Sequence, residues 1–251
     1  MILIKSIAYV LAAFRFLGII STMALYVGVG LLLIKLKLAD QNLAFRVRTS
    51  WCRLAIWILG IRLHTTGKID LLDGSLFVGN HRSLIDPVIA FNFITNGYAV
   101  SKAEVASYPL VHTGAVLSGV IYVERSNSKS RNQTKETIEK YLRENKSILI
   151  FPEGTISTDL KTLAFKKGSF EAAAATQKQI VSFAIEMGNP KTDFWYEESL
   201  LKQYFKTFSK WKTDVYVHFF EPIKGNSGEE LTTICQNAIN QKLTEFQKNW
   251  N

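Results

Sequence analysis

The sequence predicts an α/β fold: a central, mostly parallel sheet flanked by helices, with an N-terminal membrane-anchoring helical segment. Three observations predict it. From about residue 61 onward, short apolar runs alternate with stretches of helical periodicity. That is the pattern of strand–helix units, whose helices cover both faces of a parallel sheet. Before them, Phe16 to Ile34 carries no charge and is long enough to cross a bilayer. Finally, polar clusters follow several apolar runs, and the carboxyl ends of parallel strands are where such folds gather chemistry. The expected division is an anchor and amphipathic helix over 1–60 and one α/β domain over 61–251.

The elements follow in order. The run Phe16–Ile34 is flanked by Lys5 and Arg15 before it and by Lys35 and Lys37 after it; Gly18, Gly28 and Gly30 leave room for a bend or close packing. It reads as an anchor that either spans the membrane or dips in and returns. Asn42 to Gly60 reads as an amphipathic helix, with Leu43, Val47, Trp51, Leu54 and Ile58 on one face and Arg46, Arg48 and Arg53 off it. Such a helix suits either a lipid interface or the cover of a sheet. Strands are expected at Ile61–Ile69, Leu76–Val78, Tyr98–Lys102, Gly119–Val123, Ile148–Phe151, Ile180–Ile185 and Thr213–Phe220. Helices are expected near Val105–Leu117, Asn132–Glu144, Ser169–Thr176, Glu198–Phe208 and Glu229–Lys248.

Composition narrows the function. The 251 residues are 47% hydrophobic and 20% charged, enough to bury one domain and too apolar for disorder. The net charge is +9, and most of it is N-terminal. Residues 1–62 hold eight basic side chains (Lys5, Arg15, Lys35, Lys37, Arg46, Arg48, Arg53 and Arg62) against Asp40 alone. These charges interleave with long apolar runs, which favours anionic lipid over nucleic acid as a partner. Cys52 and Cys235 form no paired motif, which argues against a disulfide scaffold or zinc site and fits a reducing compartment. There is no GxSxG elbow, no Walker phosphate loop and no HExxH, and Leu33 occupies the third glycine position after Gly28 and Gly30. No metal or nicotinamide cofactor is expected.

The chain is organised around Leu76 to Pro87, LFVGNHRSLIDP. A buried strand ends at Gly79, and a helix restarts at Asp86-Pro87, where proline suits the first helical position and aspartate the cap before it. His81 on the exposed turn can serve as a general base, with Asp86 fixing its tautomer. On these residues alone, Asp86 is equally explained as a helix cap. Further clusters stand at later strand ends: Glu124-Arg125, then Phe151-Pro152-Glu153-Gly154-Thr155, then Lys166-Lys167-Gly168. Together they offer a base, cations for an anion and amides near Gly154 for an oxyanion. That combination points to acyl transfer onto a hydroxyl of an anionic substrate, and the anchor makes that substrate a lipid.

The set NHRSLID, GVIYVER and FPEGT, in this order and spacing, resembles the glycerolipid acyltransferase family, over roughly Leu63 to Ile223. The resemblance implies that His81 and Asp86 are the catalytic pair. It implies that Arg125, Glu153, Gly154 and Thr155 bind a glycerol phosphate acceptor, and that Lys102, in SKAE, lies near the phosphate. It implies no metal or cofactor, with an acyl thioester on coenzyme A or acyl carrier protein as co-substrate. The expected partners are a lysophospholipid, the acyl thioester or its carrier protein, and membrane lipids; nucleic acid is not among them. The expected location is the cytoplasmic face of the inner or plasma membrane. Three departures stand out: Glu124 where an aspartate is usual, Ile156 where many members carry arginine, and Ser182 where a proline usually shapes a loop.

The expected reaction is transfer of a fatty acyl group to the sn-2 hydroxyl of lysophosphatidic acid, as in the 1-acylglycerol-3-phosphate acyltransferases of that family. Lys102, Arg125 and one of Lys166 or Lys167 are expected to stand in for the arginine missing at Ile156. The alternatives are another lysolipid acceptor, such as lyso-ornithine lipid, and a non-catalytic lipid-binding membrane protein.

Overall fold

The computed structural model describes residues 2–38, 40–68, 73–102, 109–123, 128–197, 199–248 and 250. The chain runs α1 (Ile2–Lys35), α2 (Gln41–Ile58), β1 (Ile61–Thr66), β2 (Leu76–Gly79), α3 (Asp86–Phe93), β3 (Tyr98–Lys102), α4 (Pro109–Leu117), β4 (Val120–Val123), α5 (Ser128–Arg143) and β5 (Ile148–Ile150). It continues through α6 (Gly168–Thr176), β6 (Ile180–Met187), α7 (Pro190–Asp193), α8 (Leu200–Phe208), β7 (Thr213–Phe219) and α9 (Gly228–Gln247). The strands form one sheet in the order β1-β7-β6-β2-β5-β3-β4. Among the described residues, every pairing between these strands is parallel except β6–β7. The excursion through α7 and α8 leaves and re-enters at the same edge: the Gly188 amide donates to the Asp214 carbonyl. So β7 runs back along β6, a return that alternation of strand and helix in the sequence does not reveal.

Side chains alternate across the pleat and build two cores. Phe77, Val181, Phe183 and Ile185 pack with Cys52, Ile56, Ile89 and Phe208 on one face. Leu76, Val78, Ile180 and Ala184 pack with Ile138, Leu142, Phe170, Ile239 and Leu243 on the other. A sheet buried on both faces explains the continuously apolar runs, as in LFV and IVSFAI. Ser182 lies inside strand β6 and is buried there, so no loop differs at this position.

Because Cys52, Ile56 and Leu59 belong to the first core, packing runs unbroken across residue 60. The stripe expected to bury α2 is not its most buried face: Phe45, Arg48, Cys52, Ala55 and Ile56 are buried, while Leu43, Val47, Trp51, Leu54 and Ile58 are partly covered. The helix is sandwiched, with Ile58 meeting Gly18 of α1. Arg48 is not a lipid-facing charge. It lies between the rings of Phe45 and Phe91 and donates to the carbonyls of Gly97 and Ser118 at 2.6 and 2.8 Å.

Helix α1 docks along the domain. Ala12, Arg15 and Val27 are buried, whereas Val10, Phe14, Leu17 and Leu25 are exposed. Gly18 and Gly30 allow close approach: a Cβ at either would stand 3.3 Å from Ile58 or Leu117. Phe16 meets Tyr204 edge-on at 5.3 Å. The Arg15 guanidinium donates to the carbonyls of Phe208, Lys210 and Trp211 at 2.9, 2.6 and 2.9 Å, satisfying acceptors that the end of α8 leaves orphaned.

Replacing Arg15 with alanine strands those carbonyls. At roughly 1.5–3 kcal/mol per hydrogen bond to a charged group, the expected loss is at least about 2 kcal/mol. It is read as a lower thermal midpoint in detergent and faster proteolysis beside α1; an unchanged midpoint and digest would contradict this docking.

Candidate active site at the carboxyl edge of the sheet

Strands β6, β2, β5, β3 and β4 run the same way, so their carboxyl ends share one edge. Asn80 and His81 leave β2 there. Beside them Phe151 to Glu153 leave β5, and Lys102 ends β3 one strand further on. Asn80 extends the β2–β6 ladder with its side chain: its amide nitrogen donates to the Ile185 carbonyl and its amide oxygen accepts from the Ile185 N–H, both at 2.8 Å. This clamp fixes where the next residue leaves the sheet.

That residue is His81. Its Nδ1 lies 2.7 Å from Asp86 Oδ2, and its ring stacks on Phe151 at 4.6 Å. Asp86 is fully buried. Oδ2 also accepts from the amides of Arg82 and Ser83 at 2.5 and 2.7 Å, and Oδ1 accepts from the Ser83 hydroxyl at 2.5 Å. So Asp86 does not cap α3 from outside. It is the first helical residue, and Ile85 holds the cap position without a side-chain bond. Its carboxylate closes the loop that presents His81. With Asp86 ionised, the proton sits on Nδ1, which makes Nε2 the basic nitrogen.

The FPEGT segment wraps the histidine. The Glu153 carboxylate is buried, accepting from the His81 amide at 2.8 Å and from the Leu163 amide at 2.7 Å. The Ser157 amide donates to the His81 carbonyl at 2.9 Å. Gly154 adopts φ +73°, the left-handed region glycine tolerates. Its N–H closes a turn onto the Phe151 carbonyl at 3.0 Å. The amide of Gly154 is therefore committed to the turn and is not a donor for an oxyanion.

The remaining expected residues divide. Thr155 is exposed on the same loop. The Lys166 amide donates to the Pro152 carbonyl at 3.1 Å, which keeps that residue beside the loop. Lys167 reaches Glu229 at the start of α9, 2.6 Å away in an exposed pair, so its charge is engaged elsewhere. Lys102 is described in its main chain only, and Glu124 and Arg125 lie outside the described residues.

Two residues the motifs did not single out support the site. Arg82 is fully buried, donating to the carbonyls of Ser157, Asp159 and Leu160 and to Glu186 at 3.0 Å. Burial pushes the Glu186 carboxyl up, and Arg82 opposes that shift. The signal was present: an arginine beside the histidine and a lone acid ending an otherwise apolar strand, at one edge.

The sequence profile of the family described as Acyltransferase matches residues 60–186. The chain belongs to the acyltransferase family. It is 27% identical to the 1-acyl-sn-glycerol-3-phosphate acyltransferase of Borreliella burgdorferi over 80% of each chain. It is 30% identical to the lyso-ornithine lipid O-acyltransferase of Rhizobium meliloti over 51% of this chain, but spans only 44% of that protein. The crystal structure of the 1-acyl-sn-glycerophosphate (LPA) acyltransferase PlsC from Thermotoga maritima superposes with a TM-score of 0.70, covering 96% of this chain and 97% of that one. At 20% identity, this likeness establishes the shared fold.

Because Asp86 carries four hydrogen bonds rather than a cap, Asp86→Asn should harm both loop and chemistry. An amide offers one acceptor oxygen and turns N–H donors toward N–H donors. The expected cost is about 1–3 kcal/mol in stability and at least about a hundredfold in activity. Denaturant titration and turnover of the same preparation check it; a fully stable variant would return Asp86 to the helix-cap reading.

Proposed function

We propose that this acyltransferase moves a fatty acyl group from an acyl thioester to the sn-2 hydroxyl of lysophosphatidic acid, giving phosphatidic acid. The observation that carries the reading is the His81–Asp86 pair at 2.7 Å, which leaves Nε2 as a base at an open strand end. Nε2 takes the proton from the acceptor hydroxyl as that oxygen attacks the thioester carbonyl. The new C–O bond forms and the carbonyl electron pair moves to oxygen. Collapse breaks the C–S bond, and the departing thiolate takes the proton back from the imidazolium. Asp86 orients the ring and stabilises its charged form. Direct transfer fits a site read without a nucleophilic serine or cysteine. The donor is coenzyme A or acyl carrier protein.

The acceptor phosphate is assigned to Lys102 at the end of β3, to Arg125, which follows β4 in the sequence, and to Lys166. A second reading, a zwitterionic acceptor such as lyso-ornithine lipid, is favoured by Ile156 in the arginine position and by the engagement of Lys167 with Glu229. Specificity constants for both acceptors decide between them. Arg125→Ala should lower use of lysophosphatidate about ten- to a hundredfold, the equivalent of one charged hydrogen bond of roughly 1.5–3 kcal/mol, and spare the zwitterionic lipid. Preference of the wild type for the zwitterionic lipid would overturn the phosphate reading.

We further infer attachment to one membrane leaflet on the cytoplasmic side. Helix α1 is long and apolar enough to cross a membrane, yet one stripe of it is held to the domain from Ala12 to Gly30. A helix docked over that length would have to drag the domain across with it. Its exposed apolar face instead suits the acyl region, with Trp57, also exposed, at the interface. The protein should stay in the membrane pellet through a high-salt wash, because apolar burial does not weaken with salt. Release by salt alone would contradict the attachment.

A further inference from the structure

We propose that Glu153 is a positioning residue for His81, not a ligand for the acceptor as its place in the FPEGT motif implied. The assignment rests on the reading of His81 as the base. Both oxygens of Glu153 are used by the protein's own main chain: Oε1 takes the His81 N–H at 2.8 Å and Oε2 the Leu163 N–H at 2.7 Å. The residue is 5% exposed. A carboxylate serving an acceptor hydroxyl needs an oxygen open to that hydroxyl, whereas both oxygens here are buried and aimed at these amides.

The need for such a residue follows from topology. The β2–β6 ladder ends at Gly79, and the Asn80 side chain uses the next acceptor and donor on β6. His81 thus stands two residues past the end of the ladder, with no strand for its main-chain groups to pair with. Glu153 takes its N–H and the Ser157 amide satisfies its carbonyl. Phe151, from the same segment, stacks on its ring at 4.6 Å. One loop therefore grips His81 at both main-chain groups and along one ring face, while Asp86 fixes Nδ1. Removing the grip at the amide lets the imidazole shift against Asp86, and small displacements of a reacting group carry large rate costs.

The chemistry also explains a carboxylate rather than an amide. Two N–H donors converge on two oxygens, and glutamine would present an NH2 to one of them. Burial pushes the Glu153 carboxyl up, and the two amide bonds, with Arg82 and His81, oppose that rise without cancelling it.

The test compares wild type, Glu153→Gln and Glu153→Asp in the full chain. In steady state with lysophosphatidate vesicles, kcat should fall about ten- to a hundredfold while the acceptor KM changes less than twofold. A raised acceptor KM with kcat held would overturn the proposal and restore Glu153 as an acceptor ligand. A second arm needs no turnover. The His81 imidazole is followed by NMR across a pH titration in detergent without lipid substrate, its resonance assigned with His81→Gln. Glu153→Gln should shift both the resonance and its titration midpoint; an unchanged His81 signal would overturn the proposal. If the wild type transfers no acyl group at all, the base reading falls while the NMR arm still decides whether Glu153 holds His81. Glu153→Asp keeps the charge but is a methylene too short to reach both amides. It carries both arms should the glutamine variant fail to fold.

Discussion

The site depends on one buried carboxylate. Asp86 has no exposed surface, and a bare charge there would be prohibitively costly. Four hydrogen bonds from the five-residue stretch before it offset that cost: the His81 ring, the amides of Arg82 and Ser83, and the Ser83 hydroxyl. Those bonds give the loop its shape, so holding the charge and aiming the histidine are one event. Its position in the first turn of α3 adds a favourable dipole of about 0.3–1 kcal/mol. Around that carboxylate stand two more anchors: Asn80 locks the loop entrance to β6, and Arg82 ties its middle to residues 157–160 and to Glu186.

How legible this was in the sequence differs by level. The strands were readable because a doubly covered sheet demands continuous apolar runs, and the strand-end clusters were readable because parallel strands share an edge. The reversal at β7 was not, since its cause is the path of α7 and α8 rather than any local propensity. The His81–Asp86 pair could be named from NHRSLID, but its geometry could not. Asp86 fits a helix cap by every local rule, and only the folded loop shows it receiving Arg82 and Ser83 instead.

Charge was the least legible feature. Arg15, Arg48 and Arg62 were counted toward a lipid-binding surface, yet the first two are spent on main-chain carbonyls and the third on Asp214. Sequence spacing cannot separate an arginine that caps a distant helix end from one that meets a phosphate, because both ask for a guanidinium beside apolar surface. Among the described side chains of that group, Lys35, Lys37, Arg46 and Arg53 remain exposed and are left to meet anionic lipid. The same ambiguity hid the place of Lys167, whose partner Glu229 lies 62 positions along the chain.

The central claim is that His81 abstracts the acceptor proton, over and above its one hydrogen bond to Asp86. It is tested most directly by mass spectrometry of the lipid formed when purified wild type and His81→Ala meet lysophosphatidate and an acyl thioester. The account predicts phosphatidate from the wild type and a yield about 100- to 10,000-fold lower from the variant, with the variant's fold unchanged by circular dichroism. A folded His81→Ala protein that keeps more than about a tenth of wild-type turnover would contradict it, because loss of a general base costs far more than that.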